Sequence, residues 1–293
     1  MRTSDGVRLR YVLWSAPDPQ ATLYLLTGRT EFADKYAAVC ARFAAEGYRV
    51  AAIDWRGQGL SDRLLDDPKI GHVGSFADYQ RDLDAVIGDV EAEGAPLPRL
   101  MLAHSLGGAI GLRALVRGVT FRAAAFSAPM WGIRVSGPQA RLLSRLTGAG
   151  VMLGFGARYA PPPAPGPVCY AAAAPFAGNV LTGDEAEWNR VASLLHEHPA
   201  LQVAGPSIRW LHEAQTECRR LARLPSPPVP ALAGLGSHEQ IVDPLAIRER
   251  MARWPNGHLM FLDGAQHEIM IERAAVRARF LDACSALFRG ALN

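Results

Sequence analysis

Cysteine is scarce and unpatterned. Cys40, Cys169, Cys218 and Cys284 lie far apart, so neither a metal-ligand set nor a disulfide framework is legible. Long apolar runs are also missing, and no uninterrupted stretch reaches the length a bilayer span requires. The opening residues Met1, Arg2, Thr3, Ser4 and Asp5 lack the apolar centre of a secretory signal. Charge of one sign is not in excess. The net value is +3, carried by arginine with very little lysine, which does not demand nucleic acid but suits an anionic surface. The glycine-rich stretch Asp54-Trp55-Arg56-Gly57-Gln58-Gly59-Leu60-Ser61 lacks both the GxGxxG order and a Walker lysine, so it is read as a supporting turn and not a phosphate cradle. These absences predict a soluble cytoplasmic protein with no nucleic-acid partner, no metal and no organic cofactor, and at most peripheral contact at the inner membrane surface.

What is present is core. The 293 residues are 49% hydrophobic, which suits one large domain carrying an insertion better than two equal domains. Residues 21–26 read as a buried strand, 32–46 as a helix and 48–53 as a strand. The cycle repeats with a helix over 76–90, a strand over 100–103, a helix over 106–116 and a strand over 123–126. Strands separated by helices predict an α/β fold with a mostly parallel sheet covered on both faces. The rhythm stops after Pro129. Amphipathic helical stretches around 141–146, 185–196 and 208–219 follow, interrupted by a proline-rich run over 161–167 that is read as a rigid connection. Alternation resumes with strand character over 229–235, a helix from Pro244, a strand over 258–262 and a terminal helix over about 269–288. The expected organisation is a core over 1–130, a helical cap over 131–221 and the rest of the core over 222–293.

Ala103-His104-Ser105-Leu106-Gly107 places a serine between small residues where a strand gives way to a helix, the form of a nucleophile elbow. Small residues at 103 and 107 permit the crowded turn, and the Leu106 N–H at the helix start can help hold a developing oxyanion. The Arg29 N–H, after the strand over 21–26 and beside Gly28, is the second candidate donor. The Arg29 side chain alone is expected to be solvated and implies no substrate charge. A serine needs a base held by a carboxylate. His267 follows the strand over 258–262 through a short loop, whereas His104, adjacent to the serine, points elsewhere. Two carboxylates follow the preceding strand. Asp243 precedes Pro244 in the pattern of a helix N-cap, which leaves Glu239 as the better orienting acid and Asp243 as the alternative.

These residues resemble the α/β-hydrolase superfamily, and more narrowly the bacterial lysophospholipase L2 group, related to monoacylglycerol lipases. The resemblance is carried by Gly28-Arg29-Thr30-Glu31, Asp54 to Gly59, Ala103 to Gly108, Glu239 to Asp243 and Ala265-Gln266-His267-Glu268. Inside the cap, Asn179-Val180-Leu181-Thr182 and Val203-Ala204-Gly205-Pro206-Ser207 with Trp210 add to it. It implies an α/β-hydrolase fold with an inserted helical cap, nucleophile Ser105, base His267 and acid Glu239, where monoacylglycerol lipases carry Asp. It also implies hydrolysis of an acyl ester or lysolipid through an acyl-enzyme. The alternatives are a general carboxylesterase, a serine aminopeptidase-like hydrolase, or a noncatalytic ligand-binding relative.

Overall fold

The computed structural model describes residues 1–134, 137–162, 164 and 166–293, with the side chains of all of these except 137–141. Its centre is a seven-stranded sheet built from β1 (Arg10–Ser15), β2 (Ala21–Leu26), β3 (Tyr48–Asp54), β4 (Arg99–His104), β5 (Ala123–Ser127), β6 (Ala231–Gly236) and β7 (Gly257–Leu262). The strands run in the order β1-β3-β2-β4-β5-β6-β7, and only the β1/β3 pair is antiparallel. β2, β5 and β6 are buried along their whole length, as expected where helices cover both faces.

Side-chain alternation along the strands assigns the helices to faces. Tyr48 meets Phe43 of α1 (Ala37–Ala45) and Phe288 of α9 (Ala274–Leu292), and a Cβ on Gly234 would strike Phe280 of α9. Those two helices therefore cover one face. The other receives α2 (Phe76–Ala92), α3 (Leu106–Val116) and α8 (Pro244–Ala252). There a Cβ on Gly111 of α3 would press on Leu26 and Met101, and Trp254, just after α8, packs at a tilt against Phe126. A short 3-10 turn, Ala33–Tyr36, precedes α1.

Between β5 and β6 lie α4 (Gly137–Met152), α5 (Tyr170–Ala173), α6 (Glu185–Glu197) and α7 (Ile208–Arg223), and no sheet strand runs there among the described residues. α4 packs on α7, α5 on α6, and α7 reaches α2 and α3 of the core. α7 begins where the Ser207 Oγ accepts from the Trp210 N–H, and Trp210 then donates from its indole to the Tyr79 hydroxyl of α2 at 3.0 Å. A second tie joins the segment after β3 to the strand-like stretch before α7. Ala204 N donates to Lys69 O, Gly71 N to Gly205 O, and Ser207 N to Gly71 O. The proline run read as a rigid connection includes Pro163 and Pro165, which lie outside the described residues. No described helix is long and apolar enough to cross a membrane, and the four cysteines are free and buried.

Candidate active site

Ser105 sits between β4 and α3 with φ 48° and ψ −113°, a backbone region that costs a non-glycine residue about 1–3 kcal/mol. Packing holds it there. The Ser105 N–H donates to Ser127 O at 3.1 Å, and its carbonyl accepts from Met130 N at 2.8 Å. The turn is possible only without side chains behind it. A Cβ at position 107 would come within 2.1 Å of Leu26 O, and one at 108 within 2.5 Å of the Pro129 Cβ. Ala103 is fully buried in β4 between Leu26 and Phe126, so its methyl group is accommodated inside the sheet and away from the turn.

The loop after β7 carries His267 back over the sheet edge. Its Nε2 lies 3.0 Å from Ser105 Oγ, and its Nδ1 lies 2.8 Å from Glu239 Oε2. Glu239, in the turn after β6, uses its other oxygen to accept from the Ile241 and Val242 N–H groups at 2.7 and 3.0 Å. Burial pushes the Glu239 carboxyl up, but the facing His267 and the two backbone donors outweigh this and hold it below its ordinary value. Asp243 does not reach His267. Its Oδ1 caps α8 by accepting from Leu245 N at 2.9 Å, with Pro244 in the first helical position.

Backbone donors flank the serine. Among the described residues, neither the Arg29 nor the Leu106 N–H donates to a protein acceptor, and Leu106 opens α3, where the helix dipole favours negative charge. The loop bearing Arg29 is held from below by the stretch read as a supporting turn. Gln58 Nε2 donates to Gly28 O and Glu31 O, the Thr30 N–H donates to Gln58 Oε1, Trp55 donates to Thr27 O, and Asp54 accepts from Ala33 N.

Sequence reading missed a buried polar cluster behind His267. Lys35 Nζ donates to Glu31 at 2.7 Å and to Glu268 at 2.6 Å, Tyr36 donates to Glu31, and Glu31 also accepts from Gly28 N. Burial opposes ionisation of Glu31, yet Lys35 and His104 hold its pKa at about 2. Atoms of Glu31, His104 and Glu268 lie within 4.8 Å of one another, close enough to suggest a cation site, but the Lys35 ammonium already supplies the positive charge there. The only local signal in the sequence was a lysine four residues after a glutamate; Glu268 arrives from the far end of the chain. His104 turns its Nδ1 toward Ser127, 3.0 Å from the carbonyl oxygen, and away from the Ser105 hydroxyl.

The Arg29 side chain departs from the solvated expectation. Its Nη1 donates to Ala204 O at 2.9 Å, and its guanidinium lies 5.4 Å from the Trp210 ring centre. It lines a cavity of about 450 Å³ together with Ser105, His267 and mostly apolar side chains, among them Ile133, Val180, Val203 and Leu211.

Known proteins share this arrangement of segments. The family model described as serine aminopeptidase, S33, matches residues 17–274. Lysophospholipase L2 of Escherichia coli strain K12 is 33% identical over 97% of this chain and 85% of its own length. Monoacylglycerol lipase of Mycolicibacterium smegmatis is 35% identical over 36% of each chain. Among solved structures, a carboxyl esterase from Bacillus coagulans superimposes with a TM-score of 0.77 at 15% identity, covering 100% of this chain and 97% of that one. A soluble variant of monoglyceride lipase from Saccharomyces cerevisiae gives 0.74 at 17% identity, covering 98% and 93%. Likeness at such identities speaks for the fold alone, while the sequence matches speak for descent. The chain belongs to the α/β-hydrolase family described as serine aminopeptidase, S33, within its lysophospholipase L2 and monoacylglycerol lipase-like group of ester hydrolases.

Proposed function

We propose that this protein is a serine hydrolase that cleaves a long-chain acyl ester, a lysophospholipid or monoacylglycerol, through an acyl-enzyme at Ser105. The observation that carries this reading is the hydrogen-bonded chain from Glu239 Oε2 through His267 to Ser105 Oγ, opening on a largely apolar cavity. His267 Nε2 takes the hydroxyl proton as Oγ attacks the ester carbonyl carbon. The carbonyl oxygen gains the negative charge and is met by the Arg29 and Leu106 N–H groups. His267 then returns the proton to the departing alkoxide, and the alcohol leaves. In the second half, His267 draws a proton from water, the resulting oxygen attacks the acyl carbon, and Ser105 Oγ leaves with that proton. Glu239 keeps the imidazole in one tautomer and stabilises its cation.

The helical segment 131–221 acts in this reading as the cap that shapes the acyl site. α4 and the residues after it turn Leu142, Leu146, Met152, Leu153 and Phe155 to solvent beside exposed Arg145 and Arg158, a composition suited to peripheral contact with an anionic lipid surface. An aminopeptidase reading fits less well, because the substrate's ammonium needs a carboxylate and those lining the cavity, Glu31 and Glu268, are both bound to Lys35. Covalent capture by a fluorophosphonate, lost in Ser105→Ala, together with initial rates on lysophospholipids, monoacylglycerols, short esters and peptide amides, tests the assignment. Faster turnover of a short ester than of every long-chain lipid overturns the lipid assignment. Failure to label folded protein overturns serine hydrolysis altogether.

A further inference from the structure

The cavity contains one cation that pairs with no carboxylate among the described residues. Of its other charged lining residues, Lys35 is taken up by two carboxylates, Glu31 and Glu268, and His104 is kept uncharged at neutral pH because burial brings its pKa down to about 4. Arg29 makes no ion pair with a carboxylate among the described residues. It is nonetheless fixed. The Nη1 bond to Ala204 O and the face of Trp210 hold the guanidinium, and the backbone pairing between the 69–71 and 204–207 stretches fixes Ala204 in turn. Gly71 leaves it room, since a Cβ there would stand 3.2 Å from Nη1. Among the described residues, the remaining guanidinium N–H groups have no protein acceptor, and they are not sealed from solvent. Burial lowers its pKa to about 10, which leaves it charged at neutral pH.

A charged group in apolar surroundings is unfavourable unless an anion completes it, and the planar fork of arginine matches phosphate oxygens in pairs. Length favours the same partner. The Arg29 backbone N–H faces the reacting carbonyl in the reading above, and its side chain spans nearly as many bonds to the guanidinium as a glycerol does from the acyl carbon to a phosphorus on its far hydroxyl. We propose that the Arg29 guanidinium is a specificity-determining anchor for the phosphate of a lysophospholipid, favouring it over a neutral glyceride with the same acyl chain. This inference rests on the ester-hydrolase reading, with Ser105 acting on the acyl ester.

The test is a ratio. Values of kcat/KM are measured on decanoyl-glycerol 3-phosphate and on decanoyl-glycerol, both as monomers in solution, for the unaltered protein, Arg29→Gln and Arg29→Lys. Any loss arising from the Arg29 backbone acts on both substrates and cancels. The phosphate-to-neutral ratio is expected to fall at least tenfold in Arg29→Gln and to recover in part in Arg29→Lys; a ratio within twofold of the unaltered protein overturns the inference. If the unaltered protein turns over neither lipid while it still labels with the fluorophosphonate, the acyl-lipid reading on which the inference rests fails; turnover of both with an insensitive ratio removes only the role of Arg29. Should the variants not fold, fluorophosphonate labelling of the unaltered protein decides. Glycerol 3-phosphate is expected to slow labelling where glycerol does not. Equal slowing by inorganic phosphate and by glycerol 3-phosphate assigns the site to free phosphate and overturns the headgroup role, as does no slowing by either.

Discussion

Glu239 and Asp243 lie on one loop, yet only the first turns toward His267. The difference is visible in what each carboxylate accepts. Glu239 receives two N–H groups of its own turn on one oxygen, leaving the other free to face the imidazole, whereas Asp243 is committed to the first turn of α8. Glu239→Gln keeps the shape but offers a donor where Nδ1–H needs an acceptor, so kcat/KM is expected to fall by about 10²–10⁴-fold. Asp243→Asn keeps a capping oxygen and should cost less than about 1 kcal/mol, with turnover within a few fold. Steady-state rates and denaturation curves on both variants check this, and the opposite ranking would move the acid role to Asp243. Ionisation follows the same logic. Because the Glu239 pKa is depressed on folding, its contribution to stability is complete above the unfolded carboxylate pKa and is lost as pH falls through the lower folded value. The sequence already favoured Glu239, because a residue directly before Pro244 has a capping duty that explains it. The anchored Arg29 side chain was not legible, since its acceptor Ala204 is a backbone oxygen that only the fold brings near.

At the scale of elements, two glycines in helices behave oppositely. Gly107 lies in the first turn of α3, where that helix runs against the end of β2, and a methyl group there would drive into a backbone oxygen that cannot rotate away. Gly107→Ala is expected to destabilise by about 3 kcal/mol, the upper end of ordinary overpacking, and to disturb the serine turn with it. Gly88, in α2, has nothing within 4 Å of its missing Cβ and is exposed. Gly88→Ala should therefore stabilise by about 0.5–1 kcal/mol through helix propensity alone. Urea midpoints for the pair test this, and two shifts of the same sign would refute the contrast. Most of the helices and the inner strands followed from apolar periodicity, and α3 starts and ends where the sequence placed it, but the one-turn α5 was missed and α9 starts at Ala274, after a 3-10 turn over Ile269–Ile271. β1 was missed for a physical reason. It is an edge strand whose apolar run Tyr11-Val12-Leu13-Trp14 is only half-buried and stands alone near the chain start, with no helix before it to set a rhythm, and it is fixed by its antiparallel register with β3.

Across the whole molecule, a parallel sheet sends the carboxyl ends of its strands to one edge, which is why residues from 29 to 267 in the chain meet in one cavity. Chain order let the sequence single out Ser105, Glu239 and His267, the three side chains that the fold brings together, because each need only follow a strand. The polar layer behind them was illegible, because Glu31, Lys35, His104 and Glu268 are joined only by three-dimensional packing. That layer has a global consequence. His104 is almost fully buried, and burial first, then the neighbouring His267 and Lys35 charges, bring its pKa from 6.5 down to about 4 despite the attraction of Glu31. The unfolded chain therefore binds a proton at this position that the folded chain refuses between those two values, so stability must fall as pH falls through that window. Between pH 7 and 5 this one histidine should account for about 2 kcal/mol of lost stability. Other groups titrate there too, and a difference measurement isolates it. His104→Gln, which keeps a donor for the Ser127 carbonyl, should lose about 2 kcal/mol less than the unaltered protein between pH 7 and 5 by equilibrium urea denaturation. Parallel pH profiles for the two proteins would mean that His104 is protonated in the folded state and that Glu31 has prevailed over burial.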